Sequence, residues 1–187
     1  FAVGESTTHI YALPGTYDVT LTATDIFGCT NSMTNQAIVN NLPMAYFMGN
    51  DVCIGDTTVF NDFSFSTNSN IVSWFWDFGD GNNSTLQNPL HVYLQDGTYS
   101  VTLTVTNSFG CLDIVTSSVI VFAEPFADFY GDTICFGNET HFTDLSFGAS
   151  TGGTVSLTTW FWDFGDGTTS NLSNPVHTFS NAGIHAV

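Results

Sequence analysis

From Thr98 to Asn107 the chain alternates without a break. Tyr99, Val101, Leu103 and Val105 fall on one side; Thr98, Ser100, Thr102, Thr104 and Thr106 fall on the other. A period of two marks a strand with one buried face, and threonine on the second face suits a solvated antiparallel sheet. Trp74 to Phe78 behaves likewise: Trp74, Trp76 and Phe78 share one side, while Phe75 and Asp77 take the opposite one. No window sustains the 3.6-residue period of an amphipathic helix. Breakers recur at Gly79, Gly81, Asn88-Pro89, Gly97 and Gly110. About seven short strands in roughly 80 residues predict an all-β fold of immunoglobulin-like sandwiches.

The same pattern returns along the chain. His9 to Cys29 matches His91 to Cys111, and Cys53 to Phe65 matches Cys135 to Phe147, both at an offset of 82. The octet WFWDFGDG occurs at Trp74–Gly81 and again at Trp160–Gly167, 86 positions on, because a loop in the last copy is four residues longer. This divides the chain into three units. Residues 1–43 form the C-terminal half of one, 44–124 a complete one, and 125–187 the N-terminal part of a third. The joints NNLPMA and FAEPF are short and carry proline, which favours a semi-rigid string. Phe1 opens in mid-pattern without an initiator methionine, so a longer parent polypeptide is expected. The half-units would then be completed by more of the same chain, or by a strand from a neighbouring chain through β-augmentation.

Charge narrows the function classes. The chain has 17 Asp and Glu and no Lys or Arg, a formal charge of −17. Nucleic acid is excluded as a partner, because displacing phosphate counterions needs Lys or Arg. Anionic membrane surfaces are excluded on the same ground, and no apolar run is long enough to insert as a helix. Schiff-base lysines and guanidinium clamps are unavailable, which argues against an enzyme. Self-repulsion strains the compact state, and salt or divalent cations would relieve it.

The octet, followed by Asn88-Pro89, HVY, GTYSVTLTVTN and FGC, resembles the PKD (polycystic kidney disease) domain across all three units. The resemblance implies tandem immunoglobulin-like β-sandwiches. The cysteine-bearing form, with C-x-G-[DN] early and GC late, is similar to repeats of large Bacteroidota surface proteins, including gliding-motility adhesins. It implies a non-catalytic, extracellular, cell-surface stalk, spacer or filament. Its partners would be neighbouring repeats, other copies in a filament or bundle, or a surface glycan or protein ligand. The alternative the family offers is an accessory array of a secreted hydrolase, helping to hold a polysaccharide or protein substrate.

Particular residues carry further expectations. Trp74, Trp76, Phe78, Trp160 and Trp162 are read as core. Asp77, Gly79, Asp80 and Gly81, with Asp163 and Asp166, are read as turn formers, since Asp caps its own backbone and Gly supplies positive φ. The competing chemistries are paired carboxylates for acid/base work and a weak Ca²⁺ site at Asp77 and Asp80; no other cofactor is expected. Tyr99 after Gly97-Thr98 reads as a tyrosine corner, repeated at Tyr17 and altered or lost at His185. Cys53 and Cys111 are expected to form a disulfide, with Cys29 and Cys135 pairing outside the chain; buried free thiols are the alternative. His9, His91 and His177 occupy equivalent positions and are expected to bond locally. Phe75 and Phe161 face away from the tryptophan stripe and could meet a ligand or a neighbour. Asp56-Thr57-Thr58 and Asp132-Thr133-Ile134 resemble bacterial O-glycosylation acceptors at Thr57 and Thr133, read as equivalent places in two units.

Overall fold

The computed structural model describes residues 6–148 and 155–187, and every described element is a strand or a turn. The first unit contributes β1 (Gly15–Thr24) and β2 (Thr30–Val39), an antiparallel hairpin in continuous register from Gly15 opposite Val39 to Thr24 opposite Thr30. The complete unit contributes β3 (Phe47–Gly49), β4 (Val52–Cys53), β5 (Thr57–Asp62), β6 (Ile71–Asp77), β7 (Asn83–Ser84), β8 (Leu90–Val92), β9 (Gly97–Asn107) and β10 (Leu112–Phe122). The last contributes β11 (Phe129–Gly131), β12 (Thr140–Asp144), β13 (Trp162–Asp163), β14 (Thr169–Ser170) and β15 (Val176–His177).

In the complete unit one sheet runs β4-β10-β9-β6-β7 and the other β3-β5-β8. By contacts, the chain divides into two compact bodies, and the division passes through β3, β5, β9 and β10. The first body contains Phe1–Met48, Phe60–Pro89 and Val101–Ser117 and holds the aromatic core of the complete unit. There Phe47 of β3 and Phe60 of β5 meet Trp76 of β6, with ring centroids 5.1 and 5.5 Å apart. Leu103 and Val105 of β9 are fully buried in it. Alternation explains the choice: each inward residue is followed by a Thr whose hydroxyl stays wet, as Thr102 does in bonding Thr116 on the outer face.

The second body contains residues 49–59, 90–100 and 118–187. Its part of the complete unit is closed by the predicted corner. Tyr99 donates its hydroxyl to the Gln95 carbonyl at 2.8 Å and stacks on Tyr93 at 4.0 Å. Tyr17 of the first unit repeats this on Leu13 and Tyr11, at 2.7 and 4.1 Å. The third unit keeps the device with a different side chain. His185 Nε2 meets the Asn181 carbonyl at 3.0 Å and its ring stacks on Phe179 at 4.1 Å. A carbonyl only accepts, so this imidazole nitrogen carries the proton. The corner expected to be altered or lost is altered in chemistry and retained in geometry.

The expected Cys53–Cys111 disulfide is not formed; all four cysteines are free thiols. Cys53 lies in β4, parallel to β10 and in register with Phe122, the last residue of that strand. Cys111 precedes Leu112, the first residue of the same strand. A strand of this length spans about 35 Å, whereas a bridge needs Cα atoms within about 7 Å. Cys29 and Cys135 are exposed.

Candidate functional site: the tryptophan–aspartate turn

The octet leaves β6 and enters β7 through a tight turn. Trp76 is fully buried, and its indole donates to the Leu86 carbonyl at 2.8 Å. Phe78 is also buried, 5.2 Å from Phe60. Trp74 is half-buried and donates to Asp62 Oδ2 at 2.7 Å. Asp77 Oδ1 accepts the Gly79 amide at 2.9 Å, and Asp80 Oδ1 accepts the Asn82 amide at 3.0 Å. Gly79 and Gly81 sit at φ 78° and 92°, where a Cβ would be strained. Nothing crowds Gly81, so backbone conformation rather than space selects glycine there.

The third unit reproduces these bonds. Trp162 donates to the Leu172 carbonyl at 2.8 Å and Trp160 to Asp144 Oδ2 at 2.7 Å. Asp163 and Asp166 accept the amides of Gly165 and Thr168, both at 3.0 Å. Asp166 also accepts the Thr168 hydroxyl and meets His177 Nε2 at 2.7 Å. These bonds, the Thr168 hydroxyl first and His177 next, pull the Asp166 carboxyl down to about 2. The His177 ring lies flat on Phe164 at 4.3 Å, which orients it toward the carboxylate.

The turn aspartates are therefore occupied by the amides they cap. Among the described residues, no group of three His, Cys, Asp or Glu gathers in a way that could hold a metal ion. What the arrangement does chemically is fix a β-turn and hang two indoles from it.

Asp62 and Asp144 were not singled out from sequence, yet they organise the site. Asp62 receives the Trp74 indole, the Ser64 amide at 2.9 Å and the Gln87 side chain at 3.2 Å. Asp144 receives the Trp160 indole and the Ser146 amide, and its carboxyl is held below the usual carboxylate range, chiefly by Ser146. The available signal was the matched pair FNDFSF and FTDLSF, each with Asp two before Ser. With no Lys or Arg to pair with, acids along the chain turn to backbone amides. Asp113 holds Ala45, Asp51 holds Ile120, and Asp25 holds Phe27 and Cys29. Bonds of this charge-assisted kind stand in for the Lys and Arg ion pairs the composition forbids.

The remaining positions are surface features. Phe75 is 48% exposed and Phe161 74%. Thr57 and Thr133 are exposed, but they are not equivalent as expected. At the repeat offset Thr57 aligns with Glu139, and Thr133 aligns with Asp51. His91 packs edge-on against Tyr93 at 4.6 Å, as His9 does on Tyr11.

The family profile of the PKD domain matches residues 1–39, 40–121 and 122–187. The chain belongs to the PKD domain family. Its PKD repeats are 39% identical over 88 residues to a microbial collagenase of Vibrio alginolyticus, covering 46% of this chain and 11% of that protein. They are 53% identical over 45 residues to collagenase ColA of Bacillus cereus, covering 24% of this chain and 5% of that protein. Among solved structures, the PKD1 domain of the Vibrio cholerae metalloprotease PrtV is 37% identical, with 43% of this chain and 98% of that one covered and a TM-score of 0.40. The chain thus spans about a tenth or less of the curated relatives it matches.

Proposed function

We propose that these PKD repeats are a non-catalytic, extracellular accessory array that helps a hydrolase hold a macromolecular substrate, collagen-like protein first. The observation that carries this reading is the similarity to stretches of two collagenases, at 39% and 53% identity, over a small share of each. The site geometry supports it. The turn carboxylates are spent on backbone amides, so the array has scaffold to offer rather than reacting groups. Phe75 on β6 and Phe161 immediately before β13, both exposed, supply apolar contact at matching places in two repeats. A charge of −17 repels anionic polysaccharides and tolerates substrates bearing neutral or cationic groups.

A surface stalk or adhesin, the other reading of the tandem, rests on the repetition and on the C-x-G-[DN] and GC motifs. The collagenase relatives support the accessory role better than the stalk.

The test is co-sedimentation of the 187-residue chain with insoluble collagen fibrils, with chitin and cellulose as comparators. The chain is expected to pellet with collagen, and the double variant Phe75→Ser/Phe161→Ser is expected to weaken retention about thirtyfold, two exposed aromatics each contributing roughly 1 kcal/mol. Retention on collagen no greater than on empty buffer would overturn the proposal.

A further inference from the structure

We infer that the complete unit pairs with a second copy of this chain through the free edge of β10, the two strands running antiparallel about a two-fold axis at Thr116. In the five-stranded sheet β10 lies between β9 and β4, but β4 has two residues and reaches only Val121 and Phe122. Among the described residues no strand covers the edge from Leu112 to Ile120. Every other sheet edge of this unit, β3, β4, β7 or β8, is three residues or shorter. Short edges resist strand addition, and a long one invites it.

The bonds at the far end of β10 fix which groups face outward. The Ile120 amide donates to Asp51 Oδ1 at 2.7 Å, and the Phe122 carbonyl accepts the Ile54 amide at 2.8 Å. Even-numbered residues therefore present their main chain to this edge. With a period of two, Ile114, Thr116 and Ser118 do the same, and all three are exposed. Natural edges are ordinarily guarded by charge, proline or a bulge. From Ile114 to Ala123 there is no charged residue and no proline, and Asp113 is engaged by the Ala45 amide at 2.9 Å. The equivalent strand β2 is likewise uncharged from Thr30 to Val39 and carries threonine at the same central place, Thr34.

Symmetry and charge select a second copy as the occupant. Placing Thr116 opposite Thr116 sets Ile114 opposite Ser118 in both directions. Each outward amide and carbonyl then finds a partner, giving about six main-chain hydrogen bonds. Thr102 already meets Thr116 at 3.0 Å, so the axis extends that pair into a run of threonines shared by both sheets. In a chain of charge −17 without Lys or Arg, a contact between copies must keep carboxylates apart, and this seam has none to bring together. Because the same patch serves both copies, the contact closes as a dimer. The seam is small, so dimers form at high protein concentration. Salt strengthens them by screening the repulsion of the acidic remainder.

Sedimentation velocity of the 187-residue chain from about 1 μM to about 1 mM, at low and high salt, tests this. The expected result is a monomer–dimer equilibrium that shifts toward dimer with salt. The Ile114, Thr116 and Ser118 amides should gain exchange protection as the dimer forms. Thr116→Asp and Thr116→Lys, at an exposed position, should each weaken association about fivefold, because like charges then meet at the axis. Mixing those two proteins should restore association, since Asp then lies opposite Lys. Ser73→Asp and Ser73→Lys, exposed on β6 two strands further into the sheet, change the net charge equally and should leave association within about twofold. All four are surface substitutions and should keep the unfolding midpoint of the complete unit. A monomer at every concentration and salt, association that survives both Thr116 variants, equal loss in the Ser73 pair, or a mixture no better than its components would overturn the inference.

Discussion

Two copies of one hairpin, β9–β10 and β1–β2, sit in opposite environments. Both alternate apolar and Thr positions, both carry a corner tyrosine, and both turn through a loop capped by one side-chain oxygen. In the first copy Asp25 Oδ1 accepts the amides of Phe27 and Cys29; in the second Asn107 Oδ1 accepts those of Phe109 and Cys111. Local chemistry is thus the same. Burial is not: Val101, Leu103 and Val105 have no exposed surface, while Val19 and Leu21 lie open. The comparison separates what a hairpin specifies alone, namely register, corner and cap, from what it needs a facing sheet to gain, namely the hydrophobic free energy.

The largest expected effect lies in that difference. Leu103→Ala should destabilise the complete unit by about 2–5 kcal/mol, through lost transfer energy and the cavity left behind. Leu21→Ala, at an exposed position, should stay within about 0.5 kcal/mol. Denaturant unfolding followed by tryptophan fluorescence measures both, and equal losses would break the comparison.

Next comes the bond that joins the turn to the facing sheet. Asp62→Ala strands the Trp74 indole and the Ser64 amide together, so a loss of about 2–3 kcal/mol is expected from unsatisfied donors. Trp74→Phe in the same background should recover part of it, because the indole no longer needs an acceptor.

A smaller effect is pH-dependent and confined to the third unit. The folded Asp166 pKa of about 2 lies below its ordinary 3.8. A lowered carboxyl stabilises the fold fully above the ordinary value, and that contribution is lost as pH falls from about 4 toward 2. Carboxyl NMR should show Asp166 titrating near the bottom of that window; a midpoint at the ordinary value would remove His177 and Thr168 as its holders.

The smallest effect is a gain. The Thr58 hydroxyl is buried without a hydrogen-bond partner. Thr58→Val keeps the shape and removes the unsatisfied group, so a stabilisation of about 0.5–1 kcal/mol is expected in thermal unfolding.

Much of this architecture could be read from residues alone, for definable reasons. Period-two alternation exposed β6 and β9, and Asp-Gly beside a run of aromatics exposed the turn, because these signals are local. The cysteine pairing failed because spacing along the chain does not say which end of a sheet a residue reaches. That depended on the parallel pairing of β4 with β10, and β4 has only two residues to announce it. Whether the corner at His185 was altered or lost stayed open because a tyrosine was the signal sought, whereas the position requires a ring and a donor. Asp62 was overlooked because its role is to receive an indole twelve residues away, a tertiary fact.

Amide hydrogen exchange tests the central claim most directly, since it reads β9–β10 and β1–β2 in one sample. The account predicts that Val101, Leu103 and Val105 exchange only on unfolding of the complete unit, while Val19, Leu21 and Ala23 exchange orders of magnitude faster through local opening. Equal protection of the two hairpins would contradict it.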